Sequence, residues 1–224
     1  MMSRFSQSEA DKGSQKWIQK LVNQKSDLLN THIKRNLNFP EDEDIKWLSP
    51  LKTDKYSEYY GQSFLNLLGV ELQKVPLSSF WPKRGPQWDA LGKSSRGKLL
   101  LVEAKSHIPE LISTMQAKDE NSVKRIRRSL EETTHFLNAN PEINWSHSFY
   151  QYTNRLAHLY LLRQNDLPAY LILVYFINDV EMKGPTTIEE WKGAKKLLRS
   201  YLGIGRHKLQ KFITDVFIDV GCLE

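Results

Sequence analysis

Asp89, Glu103 and Lys105 fall within one short stretch, Trp81 to His107 (WPKRGPQWDALGKSSRGKLLLVEAKSH). Two carboxylates and an ammonium are the groups that phosphoryl chemistry uses. Carboxylate oxygens suit Mg²⁺ or Mn²⁺, hard cations that keep waters and accept phosphate oxygens as further ligands. Such an ion lowers the pKa of a bound water and neutralises charge on a phosphoryl group. A lysine beside it holds the water or stabilises charge in the transition state. Asp89 and Glu103 are therefore the candidate metal ligands, with the backbone carbonyl of Ala104 between the active side chains as a further one. The plainer alternative is a surface salt bridge between Glu103 and Lys105, with Asp89 elsewhere.

These residues need a hairpin to bring them together. Gln87 to Leu91 reads as a strand, Gly92 to Gly97 as a glycine-flanked turn, and Lys98 to Ala104 as a more apolar strand. Side chains alternate across a strand, so Glu103 and Lys105 share a face. In an antiparallel hairpin closed by the two glycines, Asp89 falls opposite Leu101 or its neighbours. A diagonal cross-strand neighbour is roughly 7–8 Å away, close enough for Asp89 and Glu103 to share one ion. A one-residue slip would turn Asp89 to the other face. Packing alone does not explain why Leu99-Leu100-Leu101-Val102 ends on a carboxylate and an ammonium.

The chain has 224 residues, of which 40% are hydrophobic and 11% aromatic, enough for a substantial core. The reading is an N-terminal helical extension over residues 1–50 and an α/β domain over 51–224, forming one structural unit. No run approaches the ~18 apolar residues of a membrane span, and the polar N-terminus lacks the apolar stretch of a signal peptide. A cytoplasmic protein with no membrane partner is expected. The single cysteine, Cys222, excludes an internal disulfide framework and a multi-cysteine zinc site. A net charge of +6 favours an anionic partner.

Along the chain, Gln15 to about Arg35 predicts one or two helices interrupted near Asn23–Ser26, and Glu41 to Asp44 after Pro40 suits a helix start. Lys52 to Leu68 is expected as a helix stopped by Gly69, with Glu58 off its apolar side. Val70 to Leu77 is expected as the first strand. Ile108 to Ser148 reads as a long helical stretch broken at Asn138–Pro141, with Lys124, Arg125, Arg127 and Arg128 mostly off its apolar stripe and available to phosphates. Phe149 to Arg163 is a helix whose polar row holds Gln151, Arg155 and His158. Ala169 to Ile177 is too apolar for an edge and predicts a buried central strand. Thr187 caps a helix to Tyr201, and Phe212 to Val220 alternates as a last strand. The order implies an α/β fold: a mixed central sheet with an antiparallel hairpin carrying the site, flanked by helices, with extra N-terminal helices.

Asp89, then Leu99-Leu100-Leu101-Val102-Glu103-Ala104-Lys105, preceded by a helix bearing Glu58 and followed by helices and a buried strand, resembles the PD-(D/E)xK nuclease superfamily. The resemblance covers residues 52–178 or so and implies a restriction-endonuclease-like fold. It implies Asp89 and Glu103 as ligands of Mg²⁺ or Mn²⁺ and Lys105 as the water-orienting or charge-stabilising group. Glu58 matches the acidic residue often carried by the first helix, and Gln151 a glutamine that exonuclease-like branches carry on a later helix. One departure is that Pro86 precedes Asp89 by three residues rather than adjoining it. The implied activity is hydrolysis of DNA phosphodiester bonds through a metal-activated water. Lys124, Arg125, Arg127, Arg128 and Arg155 are the candidate nucleic-acid contacts. The alternatives are a non-catalytic nucleic-acid-binding or scaffold protein on the same fold, and a phosphodiesterase of small nucleotides. The six tryptophans, and the segment Trp81-Pro82-Lys83-Arg84, could stack on bases, although burial is the commoner fate of a tryptophan.

Overall fold

The computed structural model describes residues 4–224. In chain order these form strand β1 (Arg4–Phe5), helices α1 (Gly13–Gln24) and α2 (Ser26–Leu37), strands β2 (Ile45–Ser49) and β3 (Glu58–Tyr59), and helices α3 (Gln62–Leu68) and α4 (Leu77–Phe80). The hairpin β4 (Ala90–Ser94) and β5 (Leu99–Lys105) follows, then α5 (Glu120–Leu137), α6 (Tyr150–Gln164), β6 (Ala169–Ile177), α7 (Ile188–Tyr201) and β7 (Ile213–Asp219).

The main sheet is mixed, in the order β2-β4-β5-β6-β7. Its first two pairings are antiparallel and its last two parallel. A separate small sheet joins β1 to β3. Alternation sends Leu99, Leu101, Leu171 and Leu173 into a core beneath α3, α5, α6 and α7. Leu100, Val102, Ile172 and Val174 face the other way, onto Trp17, Ile18 and Leu21 of α1 and Leu29 and Ile33 of α2. With both faces covered, β5 and β6 can be apolar along nearly their whole length. The division at residue 50 has no counterpart in the sheet: β2 is hydrogen-bonded to β4, and α1 and α2 cover one entire face. Among the described residues no helix is long and apolar enough to cross a membrane.

The buried strand β6, the helices α6 and α7, the last strand and the break between α1 and α2 lie where periodicity places them. The capping box at Thr187 is present, with the Glu190 carboxylate accepting the Thr187 amide at 2.9 Å. Several expectations are corrected. The acidic run does not open a helix. Glu43 is buried and meets Lys98 at 2.6 Å, Asp42 pairs with Arg96, and β2 begins directly after them. The hairpin turn is shorter than the glycines suggest, for the Ser94 amide already donates to the Lys98 carbonyl at 2.9 Å. Gly92 lies within β4 opposite Leu100, where a Cβ would come 3.0 Å from the Trp47 ring.

The helix expected over Lys52–Leu68 forms only from Gln62. Ahead of it Lys55, Tyr56 and Gly61 all take positive φ, and a Cβ at Gly61 would stand 2.5 Å from the Lys83 carbonyl. Glu58 is therefore a strand residue. The strand expected over Val70–Leu77 is absent, because the Asn165 side chain accepts the Lys74 and Val75 amides at 2.8 and 3.1 Å in place of a ladder. Between Ile108 and Ser148 only Glu120–Leu137 is a regular α-helix, and the chain before it is a short 3-10 turn and a loop.

Candidate active site

Ala90 faces Val102 and Leu91 faces Leu101, so continued pairing would bring Asp89 opposite Glu103. The strands part just there. Trp88 turns to bridge Tyr59 of β3, its amide donating to the Tyr59 carbonyl at 3.2 Å. Asp89 sits at the fork, and its Oδ2 accepts the Ala104 amide at 2.7 Å, standing in for a ladder bond. A strand residue presents its N–H and C=O to the same edge, which turns the Ala104 carbonyl toward Asp89 as well.

Glu103 and Lys105 share the face covered by α6. The Lys105 Nζ donates to Glu103 Oε1 at 2.5 Å, and the Arg155 Nε donates to Glu103 Oε2 at 2.5 Å. Arg155 also donates to the Gln87 carbonyl at 2.7 Å and to Asn154 Oδ1 at 2.9 Å, with its guanidinium over the Trp88 ring. It is buried, so it is an internal clamp and not the exposed phosphate contact expected from the sequence. The polar row on α6 thus divides. Gln151 borders the site, its side-chain amide taking no hydrogen bond within the described residues. His158 is fully buried among Phe64, Phe80, Trp81 and Trp88. Its Nδ1 donates to the Asn154 carbonyl at 2.8 Å, and burial pushes its pKa down to about 3. Trp81 is buried against this ring and offers no face to a base.

Glu58 reaches the same place from β3, its Oε2 accepting from the side-chain amide of Gln87. Gln87 is the residue that sequence reasoning passes over. It binds Glu58 through its side chain and Arg155 through its backbone, and the only signal for it is its position two residues before Asp89. Glu58, Asp89, Glu103, Lys105, Gln151 and Arg155 all line one cleft of about 1380 Å³. The four basic residues of α5 do not. All are exposed; Lys124 pairs with Glu120 at 2.9 Å, Arg125 donates to the Ser78 carbonyl at 2.8 Å, and Arg127 and Arg128 border a second hollow. The exposed cations that line the first cleft are Lys83, Arg84 and Lys118.

The site's charges are unevenly satisfied. Loss of water, then the neighbouring Glu103 charge, drives the Asp89 pKa well above the usual carboxylate range. Desolvation likewise raises Glu58, with Glu103 adding to it against the hydrogen bonds from Gln87 and Gln7. Desolvation also works against the Glu103 anion, but Arg155 and Lys105 outweigh it and hold its pKa below the ordinary value. For Lys105 the charges of Glu103 and Asp89 overcome desolvation and keep the ammonium protonated.

No family model, curated protein or solved structure matches this chain.

The donor set decides what ion the site suits. Among the described residues no three His, Cys, Asp or Glu side chains converge as a ligand group. The oxygens at hand are those of Asp89, Glu103 and Glu58 with the Ala104 carbonyl. Mg²⁺ keeps several waters and commonly takes only one or two carboxylates, so an all-oxygen set is of the class it uses, although Lys105 and Arg155 occupy both Glu103 oxygens here. Two desolvated acids held above their normal pKa also leave room for a cation's charge. Zinc, which favours nitrogen and sulfur, is a poor match.

Proposed function

We propose that the chain is a metal-dependent nuclease of the PD-(D/E)xK kind, hydrolysing phosphodiester bonds of DNA. The observation that carries this reading is the convergence of Asp89, Glu103 and Lys105 at the open end of the hairpin, with Glu58 and Gln151 in the same cleft. A divalent ion held by Asp89, Glu103 and the Ala104 carbonyl would supply Lewis acidity and offset phosphate charge. The chain's own groups do the rest. Lys105, kept cationic by Glu103 and Asp89, stabilises negative charge that develops on the phosphoryl oxygens. The free amide of Gln151 donates to a phosphate oxygen, and Glu58 accepts from water. Arg155 holds Glu103 ionised and aimed. The order of elements, with three antiparallel strands, two parallel strands beyond them and helices on both faces, also supports a restriction-endonuclease-like fold.

The test is cleavage of supercoiled, linear and single-stranded DNA with and without Mg²⁺, beside the Asp89→Asn and Lys105→Ala variants. Mg²⁺-dependent products that both variants lose are expected. DNA left intact under all conditions would overturn the assignment. A second reading, a nucleic-acid-binding scaffold, draws on the two cations that already occupy both Glu103 oxygens. Binding without cleavage would favour it.

A further inference from the structure

We infer that, on the nuclease reading, this cleft takes a single strand of DNA and that Phe5 is the platform on which one of its bases stacks. Glu103 and Lys105 are only 5% and 9% exposed, at the floor of the cleft. A phosphate must descend to them, which an unpaired strand does more readily than a duplex carrying its partner. Phe5 is 57% exposed and lines the cleft, the one phenylalanine among the described residues that is exposed. In the register of the small sheet Phe5 stands directly opposite Glu58, and directly paired residues carry their side chains on one face. The ring is therefore beside the site's carboxylates.

The arm that presents Phe5 is fastened on both sides. Arg4 pairs with Asp54, the Ser6 and Ser57 hydroxyls meet at 3.2 Å, and the Gln7 amide donates to the Lys55 carbonyl at 2.9 Å. The ring is thus positioned before any ligand arrives. Lys83, Arg84 and Lys118 add exposed cations along the same cleft. A basic groove with an aromatic face is the arrangement by which proteins hold unpaired strands without reading sequence.

Fluorescence anisotropy with labelled oligothymidylate and with a blunt duplex, in Ca²⁺, tests this. Wild type should bind the single strand more tightly. Phe5→Ala should weaken that binding by roughly 10-fold, the scale of one base–aromatic stack, with duplex binding unchanged, and Phe5→Trp should restore it. A wild-type preference for duplex, or a Phe5→Ala variant that binds oligothymidylate as tightly as wild type, would overturn the inference. So would equal losses on both ligands. Because binding is read, absence of Mg²⁺-dependent cleavage would count against the nuclease reading alone.

Discussion

Arg155 and Glu103 lie 52 residues apart in sequence and meet Nε to Oε2 at 2.5 Å under the floor of the cleft. The same guanidinium holds the Gln87 carbonyl, so one side chain of α6 ties together the two arms of the hairpin where they diverge. Removing Arg155 leaves the buried Glu103 with Lys105 as its remaining cationic partner, and breaking a buried pair costs up to about 3–5 kcal/mol. Arg155→Ala should lose stability on that scale in urea denaturation. Arg155→Lys should lose part of it, since an ammonium lacks the planar fork that reaches both acceptors. A wild-type midpoint for Arg155→Ala would mean that water already solvates Glu103.

Asp89 behaves oppositely. Its pKa is raised on folding, so its contribution to stability is complete below the unfolded carboxylate range and is lost as pH rises through the raised value. Metal-free Asp89→Asn should therefore melt above metal-free wild type at neutral pH. Mn²⁺ should raise the melting temperature of wild type and leave the variant where it was. A wild type indifferent to Mn²⁺ would take the ion away from Asp89.

Lys105→Ala should reduce turnover by about 10²–10³, as for removal of one preorganised donor, while DNA affinity persists. Lys105→Arg should also be impaired, because a planar fork does not replace a compact ammonium. Normal turnover in either variant would return Lys105 to the role of a buried counter-ion for Glu103.

The buried imidazole of His158 sets an acid limb. Its pKa falls from the usual 6.5 to about 3 in the folded protein. The stability it carries is complete above the unfolded value and drains away as pH falls toward the folded one, on the order of 5 kcal/mol at the limit. His158→Phe, placed among rings already present, should flatten thermal stability between pH 6.5 and the acid transition. An unaltered acid limb would show that other groups govern it.

Neutralising Lys83, Arg84 and Lys118 should flatten the salt dependence of DNA binding by nearly one log–log unit for each phosphate that these cations neutralise. The same treatment of Lys124, Arg125, Arg127 and Arg128 should change it less, because those four lie off the cleft. The reverse result would place the polymer across α5.

Elements with strong local signatures are legible in the sequence. Ala169–Ile177 is uniformly apolar, Thr187 and Glu190 form a cap, and Leu99–Lys105 ends on charged residues that packing does not call for. The hairpin is legible but its register is not: the first strand runs Ala90–Ser94 instead of Gln87–Leu91, and Leu91, not Asp89, stands opposite Leu101, which carries Asp89 on toward Glu103. What escapes a reading of the sequence depends on partners distant along the chain. Glu58 is in a strand because β1 pairs with it and Gly61 must pass the Lys83 carbonyl. Residues 70–76 form no strand, and Asn165 takes the Lys74 and Val75 amides instead of a ladder. β2 hides behind an acidic run whose partners, Arg96 and Lys98, lie in the hairpin turn and at the strand edge. Arg155 resembles a surface cation because periodicity on α6 cannot say that the helix is buried on nearly all sides.

The Ala104 amide is protected by the Asp89 carboxylate, where a ladder would supply a carbonyl. Its proton therefore reports on one ionisable group in the cleft while its neighbours in β5 report on the sheet. Its chemical shift and exchange rate form a built-in probe of carboxylate occupancy, readable by amide NMR without a label at the site.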